Sequence, residues 1–289
     1  MQQLVSYSPR ALEPISLADA VRTFPTIAQT SAHESRSDRF KAITTADVLE
    51  SLENDGFGIY QAHRVGAKGA RYGFEKHEIV LRHKDYGSQD VAVDEVIPEL
   101  HLFNANDGTS SYRLLAGMLR KVCSNGLMVG EKFGEVRVTH TGDVVRKVRD
   151  GAANIVEMFR PMLEQKTAME SRLLTSADAM EFINRAALLR FDSLDEMPFR
   201  PERLGALRRH SDAELTLWNV FNRVQENMIR GGIRGFVRDN ATGRTRRATM
   251  REVQAIDAST KINRGLWDIA ADYVDVTPRP LAAKEFAAA

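Results

Sequence analysis

Residues able to do chemistry are sparse in this chain. The single cysteine, Cys123, could act as a nucleophile if the fold brought His140 beside it. Glu99 and His101 could orient a ligand or a water, and with His140 they make a two-histidine, one-carboxylate set of a kind that binds metal. Neither set has a spacing that specifies it, and a lone cysteine before a turn is more often a small buried hydrophobe. The sequence holds no Walker phosphate loop, no nucleophile elbow, no HExxH and no GxGxxG after a strand. The expectation is a protein with no catalytic residue, no metal and no cofactor.

Cations offer a better lead. Arg113, Arg120 and Lys121 lie in a central apolar stretch, and Arg146, Lys147 and Arg149 open a later helix. Between Arg230 and Arg251 there are seven arginines, among them Arg230, Arg234, Arg244, Arg246 and Arg247, against Asp239 alone. Seven like charges in a glycine-containing segment repel one another unless an anion joins them. Arginine and lysine lining a groove, with aromatic rings nearby, is the chemistry that holds single-stranded nucleic acid without reading its sequence. Tyr112, Phe133 and Phe236 are the aromatics nearest these charges, and each is expected in the core. The 230–251 segment itself is expected to be a loop that orders on a phosphate backbone.

The totals bound the answer. At 289 residues and 43% hydrophobic content the chain has an ordinary core, and its formal charge of +1, from 40 basic and 39 acidic residues, steers nothing globally. One cysteine excludes an internal disulfide framework. No apolar run reaches membrane-spanning length and no signal peptide opens the chain, so the reading is cytoplasmic, with no membrane partner.

The elements that must position these residues follow from periodicity and turn chemistry. Residues 1–40 read as an arm, either a strap or a segment docking on a neighbouring subunit. A β-rich core spans 41–143: a short helix capped by Thr45, then strands at 57–65, 77–83, 94–103 and 133–141. The stretch from Asn104 to Gly130 is bounded by turn signals, Asn106-Asp107-Gly108 and Ser124-Asn125-Gly126, and its middle fits helix and strand equally well. Asn125 and Gly126 supply the second turn, and His140 is expected to bond that turn's backbone. From Asp143 the period becomes 3.6: a long helix that Pro161 should kink or divide in two, a second after Thr175 with Ser176 or Asp178 as cap, a third over 212–228 and a last over 256–273. Residues 144–275 are thus a helical part carrying the basic loop, with a flexible tail at 276–289. The fold class is α+β, an antiparallel, hairpin-rich sheet followed by a long helix.

The segments NDGTSSYRLLAGMLRKVCSNGL and FGEVRVTHTGD, with LWNVFNRVQENMIRGG and NRGLWDIA further on, resemble the phage- and plasmid-borne family known as domain of unknown function 932, over roughly residues 40–275. The resemblance implies a mobile-element context and no particular activity. The order of elements is also similar to the core of the Rad52-like and phage-recombinase annealing proteins, which form rings or helices around single-stranded DNA; no motif matches them position by position. The leading expectation is therefore a homo-oligomeric, non-enzymatic protein that binds and anneals single-stranded DNA in recombination or DNA protection. The alternatives are an anti-defence or regulatory protein that binds a host protein, and a hydrolase using Cys123 or the Glu99, His101 and His140 set.

Overall fold

The structure, a computed structural model, describes residues 4–6, 13–30, 43–65, 73–86, 96–106, 110–120, 126–128, 135–238 and 244–274. Its described residues divide into two compact units, one holding those up to Arg160 and the other those from Pro161 onward.

The first unit is built on an antiparallel sheet. Its strands are β1 (Leu4–Ser6), β2 (Phe57–Val65), β3 (His77–His83), β4 (Val96–Ala105), β5 (Ser110–Arg120), β6 (Gly126–Met128) and β7 (Val136–Val138). They run in the order β1-β2-β3-β4-β5-β6, with β7 also pairing β5. The central stretch is therefore strand. Everything in it from Leu114 to Arg120 is buried, so both faces are apolar or covered and the period-two signal is lost. Within β4, Pro98 pairs Met118 of β5 but lies beyond the β3 ladder, which covers Leu100 to Asn104, and Gln61 follows a register shift in the β2–β3 ladder.

One face carries Ile79, Leu81, Leu100, Leu102, Tyr112 and Leu114, which are fully or almost fully buried. Two helices supply much of the apolar surface of this unit. The first is α2 (Thr45–Asn54), with Val48, Leu49 and Leu52 buried; the second is the start of α3 (Val144–Ser171), with Val148, Ala152 and Ile155 buried and Gly151 lying against Val136 and Leu114. The N-cap of α2 is Thr44, one residue before the expected cap: its hydroxyl accepts from the Asp47 amide while Asp47 accepts from the Thr44 amide. Thr45 is left to bond His77 and Asn104 inside the core. In the segment expected as an arm, the described residues include β1, which pairs β2, and α1 (Leu17–Thr23) with the 3-10 turn Pro25–Ala28, where Ala20, Phe24 and Ile27 are buried.

Asp143 caps α3, accepting from the Arg146 amide. Pro161 does not end this helix, which runs through it for 28 residues, but the division between the units falls at that residue. The second unit holds the remainder of α3, then α4 (Ser176–Ala187), α5 (Leu217–Arg230) and α6 (Ile256–Ala271), packed around Phe182, Phe221 and Trp267. Thr175 and Asp178 form the capping box of α4, and Thr216 caps α5, whose start is five residues later than its apolar pattern suggests because His210–Asp212 is a separate 3-10 turn. Between α5 and α6 lie β8 (Arg234–Arg238) and β9 (Thr245–Thr249), an antiparallel pair. The segment expected as a loop is thus a β-hairpin. The tail beyond residue 274 lies outside the described residues.

Candidate nucleic-acid interface

The hairpin starts where α5 is made to stop. Gly231 adopts a φ of 64°, and its amide closes the helix on the Asn227 carbonyl; a side chain there would collide with the Met250 and Arg251 backbone. Backbone bonds from the Gly232 amide to the Met250 carbonyl and from the Met250 amide to the Ile233 carbonyl close the base of the pair, just before β8 begins and just after β9 ends. Phe236 pairs with Arg247 and Arg234 with Thr249, so these four side chains share one face of the hairpin. Its root rests on the segment Pro198–Arg203. The Phe236 amide donates to the Pro198 carbonyl at 2.6 Å, a Cβ at Gly235 would overlap that same carbonyl, and the Arg203 guanidinium donates to the Arg234 carbonyl.

Between the hairpin and this segment is a cleft of about 640 Å³, lined among others by Phe199, Arg200, Arg203, Arg234, Phe236 and Arg247, with no carboxylate in its lining. Arg200, Arg234, Arg246 and Arg247 are exposed, and none is ion-paired to a carboxylate among the described residues. Phe236, expected in the core, is 62% exposed. Arg200 and Arg203 were missed by the sequence reading; the signal was the basic, proline-bearing connector MPFRPERLGALRRHSD, whose docking on the hairpin only the fold supplies.

Elsewhere the predicted cations have partners. Arg113 donates to Glu135 at 2.8 and 3.4 Å and lies over Phe103, while Arg137 also donates to Glu135. Burial alone would raise the Glu135 pKa, but these two guanidiniums hold it below the usual value. Arg120 is only 2% exposed. Arg149 is bidentate to Asp55, whose pKa those bonds lower, Arg146 pairs with Asp143 at 3.4 Å, and the Lys147 ammonium lies 3.4 Å from the Thr141 carbonyl. The cleft of about 440 Å³ beside Arg146 and Arg149 is lined by Asp55 and Asp150 as well, so its charge is mixed. Arg230 reaches the buried Glu226 at 3.0 Å, and Arg209 shares that carboxylate. Arg244, Arg246 and Arg247 stand on or beside β9, exposed. Lys121, Cys123, Asn125, Phe133 and Asp239 lie outside the described residues; Gly126 opens β6.

Glu99, His101 and His140 do not converge. His101 and Glu99 pair with Leu115 and Gly117 and so occupy the sheet face opposite to Tyr112, against which His140 packs with ring centroids 5.0 Å apart. Among the described residues no group of histidine, cysteine and carboxylates is disposed to hold a metal ion. Glu99 and His101 belong instead to a buried ionic chain: Arg82 donates to Glu99 at 3.0 Å, His101 Nδ1 meets Glu78 at 2.7 Å, and His101 Nε2 is 3.8 Å from Glu99. Arg82 also stacks over Tyr60, 4.2 Å from the ring centre. Glu78 and Arg82 stand four apart on one face of HEIVLRH, a spacing visible in the sequence but indistinguishable there from solvated charge.

Comparison with known proteins gives a family whose description names no activity. The family model described as "Domain of unknown function (DUF932)" matches residues 32–267. Two relatives from Escherichia coli (strain K12) are similar over most of their length: "UPF0380 protein YfjQ", 37% identical over 258 residues, and "UPF0380 protein YafZ", 38% identical over 259 residues. Each alignment covers 89% of this chain and 90% of the relative. No solved structure matches at a significant level. With the family model spanning most of the sequence and both relatives aligned across it, the chain belongs to the DUF932 family.

Proposed function

We propose that the protein binds single-stranded DNA, without regard to sequence, through the cleft at the β8–β9 hairpin. The observation that carries this reading is the set of exposed arginines lining the cleft, Arg200, Arg234 and Arg247, joined by Arg246 on the other face of the hairpin, with no carboxylate paired to them among the described residues, in a protein whose other predicted cations are mostly paired or buried. Unpaired guanidiniums close together repel; a phosphate backbone supplies the missing negative charge and releases condensed counterions as it binds. Strand annealing and assembly into an oligomer are extensions of the same reading.

Fluorescence anisotropy with a labelled single strand and the matching duplex, across a salt series, tests it. The expected result is binding that strengthens with strand length and weakens steeply with salt. The variant Arg234→Ala/Arg246→Ala/Arg247→Ala should flatten the slope of log affinity against log salt by roughly two units, at about 0.7 per phosphate contact on a single strand. Its thermal midpoint should barely move, because these side chains are exposed and make no ion pair among the described residues. Absence of strand binding at low salt, or binding confined to an acidic protein, would overturn the reading.

A further inference from the structure

We infer that Phe236 is a stacking platform for one unpaired base, and that it gives the hairpin cleft its preference for single strands over duplex. The inference rests on the strand-binding reading and adds the part of the ligand that charge alone does not select.

Three observations meet at this residue. Phe236 is 62% exposed, in a molecule that buries Phe24, Phe103, Phe159, Phe182 and Phe221 almost completely. Its ring makes no aromatic or cation–π contact with any described residue, although Arg247 stands directly across the ladder from it. And it stands in the lining of a cleft of about 640 Å³, inside the roughly 300–1,000 Å³ range of pockets that enclose one small organic molecule. A lone exposed phenylalanine is unremarkable on most surfaces. Here it is placed between the cations Arg234, two residues along the same strand face, and Arg247, so an apolar ring stands between two positive groups.

A nucleotide has the complementary layout, a flat apolar base between two phosphates. With Arg234 and Arg247 on the flanking phosphates and Arg200 and Arg203 closing the far wall, the base is left against the Phe236 ring. In duplex DNA the base faces are already stacked, so the ring gains nothing and only the phosphate contacts remain. The position of the ring is fixed by backbone: the Phe236 amide is tied to the Pro198 carbonyl and the neighbouring Gly235 leaves no gap.

The test compares the full-length protein and its Phe236→Ala variant on a labelled oligothymidylate, on the same backbone with every base removed, and on duplex. Stacking contributes roughly 1–3 kcal/mol per base, so Phe236→Ala should weaken oligothymidylate binding about five- to 150-fold. It should leave abasic-strand and duplex binding unchanged, and Phe236→Trp should restore the preference for the strand that carries bases. Should the alanine variant fail to fold, Phe236→Leu keeps the apolar bulk without the aromatic face and is expected to behave as the alanine would. Equal weakening on abasic and base-bearing strands, or none on either, would overturn the stacking role while leaving the arginine cleft intact as a strand site. If the unaltered protein binds none of the three probes, the strand-binding reading falls, and the stacking role with it.

Discussion

His77 is wholly buried at the start of β3, its Nδ1 donating to the Glu75 carbonyl at 3.0 Å and its Nε2 accepting from the Thr45 hydroxyl at 2.9 Å. Burial lowers its pKa from 6.5 to about 4; the bond to Glu75 opposes the shift and the charge of His140 adds to it. The folded protein therefore keeps His77 neutral where the unfolded chain takes up a proton. The sign follows: there is no cost above about 6.5, and stability falls as pH drops from there towards 4, by up to about 3 kcal/mol. Urea unfolding across that window should show the decline, and His77→Gln should flatten it; an unchanged slope in the variant would locate the proton uptake elsewhere. Thr45 was expected as a helix cap and Tyr112 in the core, but nothing local joins them to His77 or Asn104. Only the sheet, by bringing positions 45 and 104 together, makes them a buried hydrogen-bonded set.

At the level of elements, the hairpin is sensitive to a single added methyl group. Gly235→Ala would drive a methyl group into the Pro198 carbonyl, so Pro198–Arg203 must shift or β8 must lift. The expected outcome is a lower thermal midpoint together with weaker strand binding, whereas the neighbouring Gly232→Ala, with open space around it, would carry only the strain of its φ of 79°. A Gly235→Ala protein with unchanged strand affinity would separate the cleft from binding. The strands at Phe57–Val65 and His77–His83 were legible because their alternation survives burial. β5 was not, since a strand buried on both faces has no alternation to read, and neither were β8 and β9. Arginine- and glycine-rich sequence has low strand propensity, and the ladder here is held by its docking on Pro198, a contact between residues 38 apart that no local pattern encodes. The candidate site was half legible for the same reason: charge density marks Arg234, Arg246 and Arg247, while Arg200, Arg203 and the exposure of Phe236 depend on that docking.

For the molecule as a whole, a formal charge of +1 gives little mutual repulsion between copies in solution. β9 pairs only β8 among the described strands, so its outer edge presents backbone donors and acceptors of the kind that recruit another strand. What stands along that edge is Thr245, Arg246, Arg247 and Thr249, all exposed. The arginines that suit the hairpin to an anion therefore also guard it against self-association, since charged side chains on an open edge disfavour strand addition. Arg246→Val/Arg247→Val, which raises strand propensity while removing that charge, is expected to scatter light at concentrations where the unaltered protein stays clear. A polyanion that neutralises the same two residues lifts the same guard, so colloidal stability should be lowest near charge equivalence with added DNA and recover when either component is in excess.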